Sequence, residues 1–240
     1  MDTYHLYFYQ GYIQANIYQI QLVKDYFEKS KQIFDYNEKT IESKVDEQLV
    51  SIVDSAVGIS DLQELRDSLE LTIYDTMAKT KNMHLFVSIG LLASLWEQQI
   101  VKFIQHDLRD EFTQRIKITS YKFAENVIKC SKAKVFIEKD KITELMLLNN
   151  VIKHGEGRSA TNLRKKRPDF FKEKFIDSDI DILDMNEGSV YSEPYSLKVT
   201  EDDFYSYADS LTAFWNEVPE HAEVNMTCFK KAVEKFKGKY

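Results

Sequence analysis

The sequence predicts a mainly α-helical protein, chiefly because residues that interrupt helices are scarce. No proline occurs before Pro168, and only five glycines do. Apolar residues recur at spacings of three and four, the period that gives a helix one buried face. We therefore expect a helical bundle over residues 1–167. Residues 168–240 contain all three prolines, and there we expect a small mixed appendage that packs on the bundle.

Two apolar stripes near the N-terminus predict the first two helices. Residues 12–36 carry the first stripe, which comprises Ile13, Ile17, Ile20, Val23 and Phe27. Residues 2–11 do not alternate regularly between apolar and polar types, so the sequence leaves open that the first helix extends into them. Residues 40–57 carry the second stripe, and Gly58 is predicted to end that helix.

The middle of the chain contains the most apolar predicted helix. The pattern Ser-Asp-Leu-Gln at 60–63 is typical of a capping box, and a helix is predicted from there to about Thr80. Residues 81–109 are the most apolar, and we place that helix at the centre of the bundle. Residues 120–131 and 139–154 are also predicted to be helical.

The predicted appendage mixes element types. A short strand is predicted over 195–199, after which Thr200 is expected to cap an aromatic-rich helix that runs to about Glu217. A last helix is predicted over 222–237. The acidic residues at the start of the aromatic helix match the positive end of its dipole, so they are explained without any function.

Charge and hydropathy favour a cytoplasmic protein whose partner is another protein. The chain has 39 acidic and 32 basic residues, a net charge of −7, which favours a basic partner over nucleic acid. Its longest apolar run, Leu85–Trp96, is well short of the roughly 20 residues of a membrane span. The N-terminus has no signal-peptide pattern. Cys130 and Cys228 sit in helical patterns, and we interpret them as reduced thiols rather than as a disulfide framework.

No cofactor and no metal is expected. Two cysteines and five histidines match no zinc-ligand spacing. The sequence also contains no phosphate-binding glycine loop, no dinucleotide fingerprint and no nucleophile elbow.

The segment from Asn149 to Ser159 is the most informative part of the sequence. It closes an apolar helix at His154 and continues into a loop that contains Gly155. The helix dipole favours a charged histidine there, and Lys153 and Arg158 add positive charge. We expect His154 to be hydrogen-bonded, with Asn149 or Asn150 in reach. The simpler interpretation is a polar helix end with a glycine cap.

This segment resembles the signature of HEPN (higher eukaryotes and prokaryotes nucleotide-binding) domains, helical bundles found in bacterial toxin–antitoxin and abortive-infection systems. Active members carry an Arg, a short spacer and a His, often with an Asn nearby. The resemblance maps the His onto His154 and the Asn onto Asn150, and it implies a metal-independent ribonuclease. Where the Arg should fall, this chain has Leu148, Asn149 and Asn150, which argues against ribonuclease activity because that Arg would stabilise charge on the phosphate.

Two charged stretches follow the motif. The basic run Arg164, Lys165, Lys166 and Arg167 forms a cationic patch with Lys153 and Arg158, and this patch is a candidate for binding RNA phosphates. An acidic stretch comprises Asp177, Asp179, Asp181, Asp184 and Glu187, and it is a candidate for binding a basic protein. Pairing of the two stretches within the molecule, or simple solvation, are the alternatives.

Three functions remain open from the sequence. The first is a non-catalytic immunity or antitoxin-type protein that neutralises a basic nuclease toxin, which we rank first on net charge, missing Arg and aromatic content. The second is a HEPN-type ribonuclease in which His154 is the general acid or base, assisted by Asn149 and Asn150. The third is a structural helical subunit of an assembly.

Overall fold

The computed structural model describes residues 3–34, 37–52, 59–107, 125–126, 129–130, 140–175, 178–181 and 197–237. The prediction of a mainly helical protein is confirmed over these residues. Their helices are α1 (Gln10–Lys31), α2 (Glu38–Ile52), α3 (Ile59–Asp107), α4 (Asp140–His154), α5 (Arg158–Lys166), α6 (Glu201–Glu217) and α7 (Met226–Lys237). Their strands are β1 (Thr3–Tyr7), β2 (Lys172–Phe175), β3 (Ser178–Asp181) and β4 (His221–Asn225).

The core forms around the second half of α3, against which α1, α4 and α6 pack. The rings of Trp96 and Phe214 meet edge to face with centroids 4.8 Å apart, and those of Phe103 and Trp215 do so at 5.2 Å. The indole Nε1 of Trp215 donates a hydrogen bond to Gln99 Oε1 at 2.9 Å, so the buried polar atom of this aromatic layer is paired. The apolar helix predicted over 81–109 supplies this centre from Leu85 to Ile104, and residues 108 and 109 lie outside the described part of the chain.

α3 is a single helix of 49 residues, about 74 Å long at 1.5 Å per residue. The predicted break near Thr80 is wrong, because neither Gly nor Pro lies there to interrupt the helix. The core includes α3 from Leu85 onward, whereas residues 59–82 pack on α2. Among the described side chains of α2 and residues 59–82, Val45 and Ile73 are the buried apolar ones. We call α2 together with residues 59–82 the two-helix arm.

Strands β1 and β4 join the two ends of the described chain. They pair antiparallel, with Thr3 opposite Asn225 and Tyr7 opposite His221. The helical extension that the sequence left open for residues 2–11 does not occur at 3–7, which form a strand, and the last helix begins at Met226 instead of residue 222. The pairing partners lie more than two hundred positions apart, so local sequence periodicity carries no signal of the sheet.

The observed ends of the helices agree with the sequence predictions better than the strands do. Thr200 caps α6 through a capping box, in which its side chain and that of Asp203 each bond the other's backbone amide. Gly155 follows α4 in the left-handed region, with φ +67°. The predicted strand at 195–199 is wrong for residues 197–199, which are irregular. Predicted helix 120–131 lies largely outside the described residues.

The apolar core crosses the boundary proposed between bundle and appendage. One connected set of buried residues runs from Phe8 to Ala232, and α6 packs on α1, α3 and α4. The division at residue 167 stays a prediction, although α6 contributes directly to the bundle core. Within the part of the chain that the structure describes, no helix is both long and apolar enough to cross a membrane.

The interpretation of the cysteines as reduced thiols is wrong. Cys130 and Cys228 form a disulfide, with their Cα atoms 5.6 Å apart and 98 positions between them in sequence. The backbone N–H of Asn225 donates to the carbonyl of Cys130 at 3.1 Å, which holds the Cys130 segment beside the β4–α7 junction. This proximity arises from tertiary packing, and neither cysteine has a local sequence signal for it.

We expect Cys228→Ser to lower the free energy of unfolding by about 3 kcal/mol, because a cross-link over a long loop restricts the unfolded chain. Thermal unfolding with and without a reductant measures the effect. The reductant should destabilise the wild-type chain to a similar degree and should not further destabilise Cys228→Ser. Identical melting of the wild-type chain in both conditions would contradict the disulfide.

Candidate functional site

His154 lies at the solvent-exposed C-terminal end of α4. The helix ends there, and the Gly155 N–H donates to the Val151 carbonyl at 2.8 Å. The side chains of Lys153 and His154 are both exposed. Among the described residues His154 has no hydrogen-bond partner, so the expected link to Asn149 or Asn150 finds no support there. A helix turns 100° per residue, which places Asn149 toward the core and His154 toward solvent.

Asn149 is the most unusual polar residue of this segment. It is 1% exposed, and neither its Oδ1 nor its Nδ2 has a hydrogen-bond partner among the described residues. It belongs to the buried face of α4, one turn after Leu145, and faces α3 at Gly90. A methyl group added at Gly90 would lie 3.7 Å from Asn149 Oδ1, an ordinary contact distance. An unpaired buried carboxamide destabilises the fold.

Half of the predicted cationic patch, three of its six side chains, is paired with carboxylates of the same molecule. Arg164 forms a two-pronged pair with Glu156, at 2.8 and 2.7 Å, and its guanidinium lies 4.7 Å from the ring centroid of Phe171. Lys166 pairs with Asp140 at 2.8 Å. The exposed side chains Lys153, Arg158 and Lys165 have no ion-pair partner in the described part of the chain.

Arg167 is the centre of a largely buried ion network that joins α4, α5 and α6. Its Nη1 lies 2.7 Å from Glu144 Oε1 and 2.7 Å from Asp203 Oδ1. Its Nε and Nη2 donate to the carboxylate of Asp169, with the shortest distance 2.7 Å. The guanidinium also stacks on Phe170, with its carbon 3.7 Å from the ring centroid. Four of its five N–H groups therefore donate within the network.

Glu144 is the buried acceptor of the network. Its Oε1 accepts hydrogen bonds from Arg167, from the hydroxyl of Tyr207 at 2.8 Å and from Lys141 at 3.0 Å. Asp203 connects the network to the capping box of α6, where its carboxylate also accepts from the Thr200 N–H at 3.0 Å. A carboxylate buried this deeply is stable only with such partners.

The network shifts the protonation of its members in opposite directions. Burial disfavours charge on Arg167, but its hydrogen bonds to Asp169, Asp203 and Glu144 prevail and raise its pKa. Burial likewise acts against the charge of Asp203, yet Arg167 and Thr200 lower its pKa below the usual value. Burial and then Glu144 raise the pKa of the Tyr207 hydroxyl. Arg167 and Asp203 therefore stay charged and Tyr207 stays neutral near neutral pH, which is suited to structural support rather than to proton transfer.

Sequence reasoning missed one serine–histidine pair. Ser30 Oγ lies 2.7 Å from His84 Nε2, and the imidazole stacks on Phe27 with ring centroids 5.3 Å apart. The same hydroxyl donates to the Tyr26 carbonyl at 2.6 Å, so its proton is directed at the backbone. Burial lowers the pKa of His84. The 54 positions between the two residues leave no sequence signal, and the pair ties α1 to α3.

The described part of the acidic stretch is placed opposite lysines. In the β2–β3 hairpin, Asp179 is the register partner of Lys174, and Asp181 is that of Lys172. Asp177, Asp184 and Glu187 lie outside the described residues. The candidate partner-binding role of the stretch stays a prediction, but the two described residues of its five stand in register with lysines.

The structure and the comparisons add no known site or relative. Within the described ranges, no group of three or more His, Cys, Asp or Glu side chains is arranged to hold a metal ion. Comparison of the chain with protein-family models, with curated proteins and with solved structures finds no match.

We expect Arg167→Met to lower the free energy of unfolding by about 3 kcal/mol, because it leaves Glu144 and Asp203 buried without their cation. Lys165→Met, two positions away and exposed, is the control and should change stability by less than about 0.5 kcal/mol.

The stability that the network provides should also depend on pH. Because the folded-state pKa values of Asp169 and Asp203 are depressed, their contribution to the free energy of unfolding is present above the ordinary value of 3.8 and is lost as pH falls below it. Denaturant unfolding at neutral and acid pH measures both effects, and equal losses in the two variants would contradict the network.

We expect Asn149→Leu to raise the free energy of unfolding by about 1 to 3 kcal/mol, since it removes an unpaired buried carboxamide with little change of shape. Asn150→Leu is the control: Asn150 is only half-buried, so the gain should be small. Chemical denaturation of both variants supplies the comparison. A clear loss of stability in Asn149→Leu would show that the carboxamide has a partner in solution.

Proposed function

We propose that this chain is a non-catalytic binding protein of a bacterial conflict system, an immunity or antitoxin-type neutraliser of a basic nuclease toxin. The observation that carries the proposal is that three of the four side chains of the basic run form ion pairs within the molecule. Arg164, Lys166 and Arg167 are engaged by carboxylates of the same molecule, so the cationic surface beside His154 is smaller than the sequence indicated. A ribonuclease needs such a surface to hold the phosphates of its substrate.

Exposed aromatic side chains support a protein partner. Six tyrosines of the described residues are more than 40% exposed, namely Tyr7, Tyr9, Tyr12, Tyr18, Tyr26 and Tyr74. Tyrosine is enriched where proteins bind one another, because its ring buries a large apolar area and its hydroxyl tolerates water. Together with a net charge of −7, this surface suits a basic protein better than it suits RNA.

The HEPN-type ribonuclease remains the second candidate, and the exposure of His154 favours it. The imidazole is accessible to a substrate, and the exposed Lys153 and Arg158 lie close to it in sequence. The position of the family's Arg remains occupied by Leu148, Asn149 and Asn150. Asn149 is directed into the core, which leaves Asn150 as the amide nearest to the solvent side of His154.

Affinity purification of the full chain from its native host, combined with a nuclease assay, tests the proposal. We expect a basic protein to co-purify and its nuclease activity to be suppressed by added chain, because complementary charge favours the complex. His154→Ala should behave like the wild-type chain, since the side chain is exposed and supports neither fold nor binding.

The same preparation separates the alternatives. RNA cleavage by the purified chain that disappears in His154→Ala would reject the neutraliser and favour the ribonuclease. Stable co-purification with non-basic proteins, without nuclease suppression, would favour a structural subunit instead. Lys165→Met serves as the control for a general loss of positive charge in the same region.

A further inference from the structure

The two-helix arm extends beyond the part of α3 that the core covers. Residues 59–82 add about 36 Å of helix at 1.5 Å per residue. The helices that pack on the second half of α3 are much shorter, with 22 residues in α1, 15 in α4 and 17 in α6. Within the described residues, α2 contacts α3, and Arg66 in this part of α3 pairs with Asp46 of α2 at 2.8 Å. The buried side chains Val45 and Ile73 indicate the side on which the two helices pack.

The opposite side of the arm, which we call its outer face, repeats the pattern of the core. Leu71, Tyr74 and Ala78 follow one another at spacings of three and four, and after one turn that carries Lys81 the same stripe continues into the buried residues Leu85, Ile89, Leu92 and Trp96. Leu71 is nevertheless 70% exposed and Tyr74 is 62% exposed. The stripe that binds the other helices of the bundle thus continues onto a helix face that no other helix covers among the residues that the structure describes.

Negative charge surrounds this face. The arm contains nine acidic and five basic residues in 38–52 and 59–82, a net charge of −4 out of −7 for the chain. Glu64 and Asp67 precede Leu71 by seven and four positions, so they continue the line of the stripe toward the start of α3, and Asp75 follows Tyr74 directly and lies to its side. Asp75 is paired with Lys79 at 3.0 Å.

These charges determine which kind of molecule can bind to the outer face. A second copy would bring another arm of charge −4 against the first, and nucleic acid or an anionic lipid surface would be repelled in the same way. A cationic protein segment is attracted, and its apolar residues can cover Leu71 and Tyr74. A helix is the segment whose side chains match a stripe with spacings of three and four.

We propose that the outer face of the arm docks a basic amphipathic helix of a partner protein, with Leu71 and Tyr74 as the apolar anchors and Glu64 and Asp67 beside them as the charged rim. This proposal rests on the proposed function and places its basic partner on the arm. The arm has little apolar packing of its own, with Val45 and Ile73 as its buried apolar side chains among those described. Docking would therefore also slow amide exchange in residues 59–82.

A synthetic peptide of about 20 residues, with leucines at helical spacing and lysines elsewhere, is the probe. Its binding to the full chain is measured by fluorescence anisotropy, beside a peptide in which glutamates replace the lysines. We expect the lysine peptide to bind and the glutamate peptide to fail. Leu71→Gln combined with Tyr74→Gln should weaken binding at least about ten-fold, as expected for buried interface anchors. Both residues are exposed, so the variant should fold.

The matched control replaces Val50 and Val87 by Gln. These residues are 84% and 59% exposed and lie outside the outer face, so binding should change by less than about two-fold. The docking site would be overturned if both double variants weakened peptide binding equally, or if neither of them changed it. So would equal affinity for the two peptides.

The docking site and the proposed function fail in different ways. If the basic host protein still co-purifies with the Leu71→Gln/Tyr74→Gln chain at the wild-type level, the docking site is wrong and the neutraliser stands. If the wild-type chain captures no basic protein and suppresses no nuclease, the proposed function is wrong, and loss of peptide binding in the variant then supports the arm as a site for some other cationic segment.

Discussion

The uninterrupted length of α3 is the constraint on which the rest of the structure depends. A helix of 49 residues is more than twice as long as α1, the longest of its partners in the core, so three shorter helices can surround only one half of it. That half carries Trp96 and Phe103 and forms the core with the aromatic face of α6. The other half is left with α2, which produces the two-helix arm and its partly uncovered stripe.

Arg167 has a comparable role where α4, α5 and α6 meet. By sequence it belongs to a run of positive charges that resembles a phosphate-binding patch. In the fold it lies between Glu144 of α4 and Asp203 of α6 and closes the turn after α5. Its charge is neutralised in a largely buried setting, where the removal of either sign is unfavourable. The cationic character of the run is therefore mainly structural, and this favours a binding protein over a nuclease.

The ion network and the arm give this acidic protein two surfaces of different charge: in one the basic side chains are neutralised, and in the other an excess of negative charge remains. Three of the four basic side chains in the run are matched by carboxylates, whereas the arm retains an excess of four negative charges. Exposed apolar residues accompany that excess at Leu71 and Tyr74. Complementary charge increases the rate of encounter, and apolar anchors slow dissociation. Such a combination is what a neutraliser of a basic protein requires.

The sequence by itself determined the helical class, the ends of α4 and α6 and the central position of the apolar half of α3, because these depend on local spacing and on caps such as Thr200 and Gly155. It also identified His154 and the basic run as charged features. Only the tertiary structure decided what those features contact. The β1–β4 pairing, the Cys130–Cys228 bond and the burial of Asn149 join or orient residues through packing between distant segments. Local periodicity records which face of a helix is apolar, but it does not record which partner covers that face.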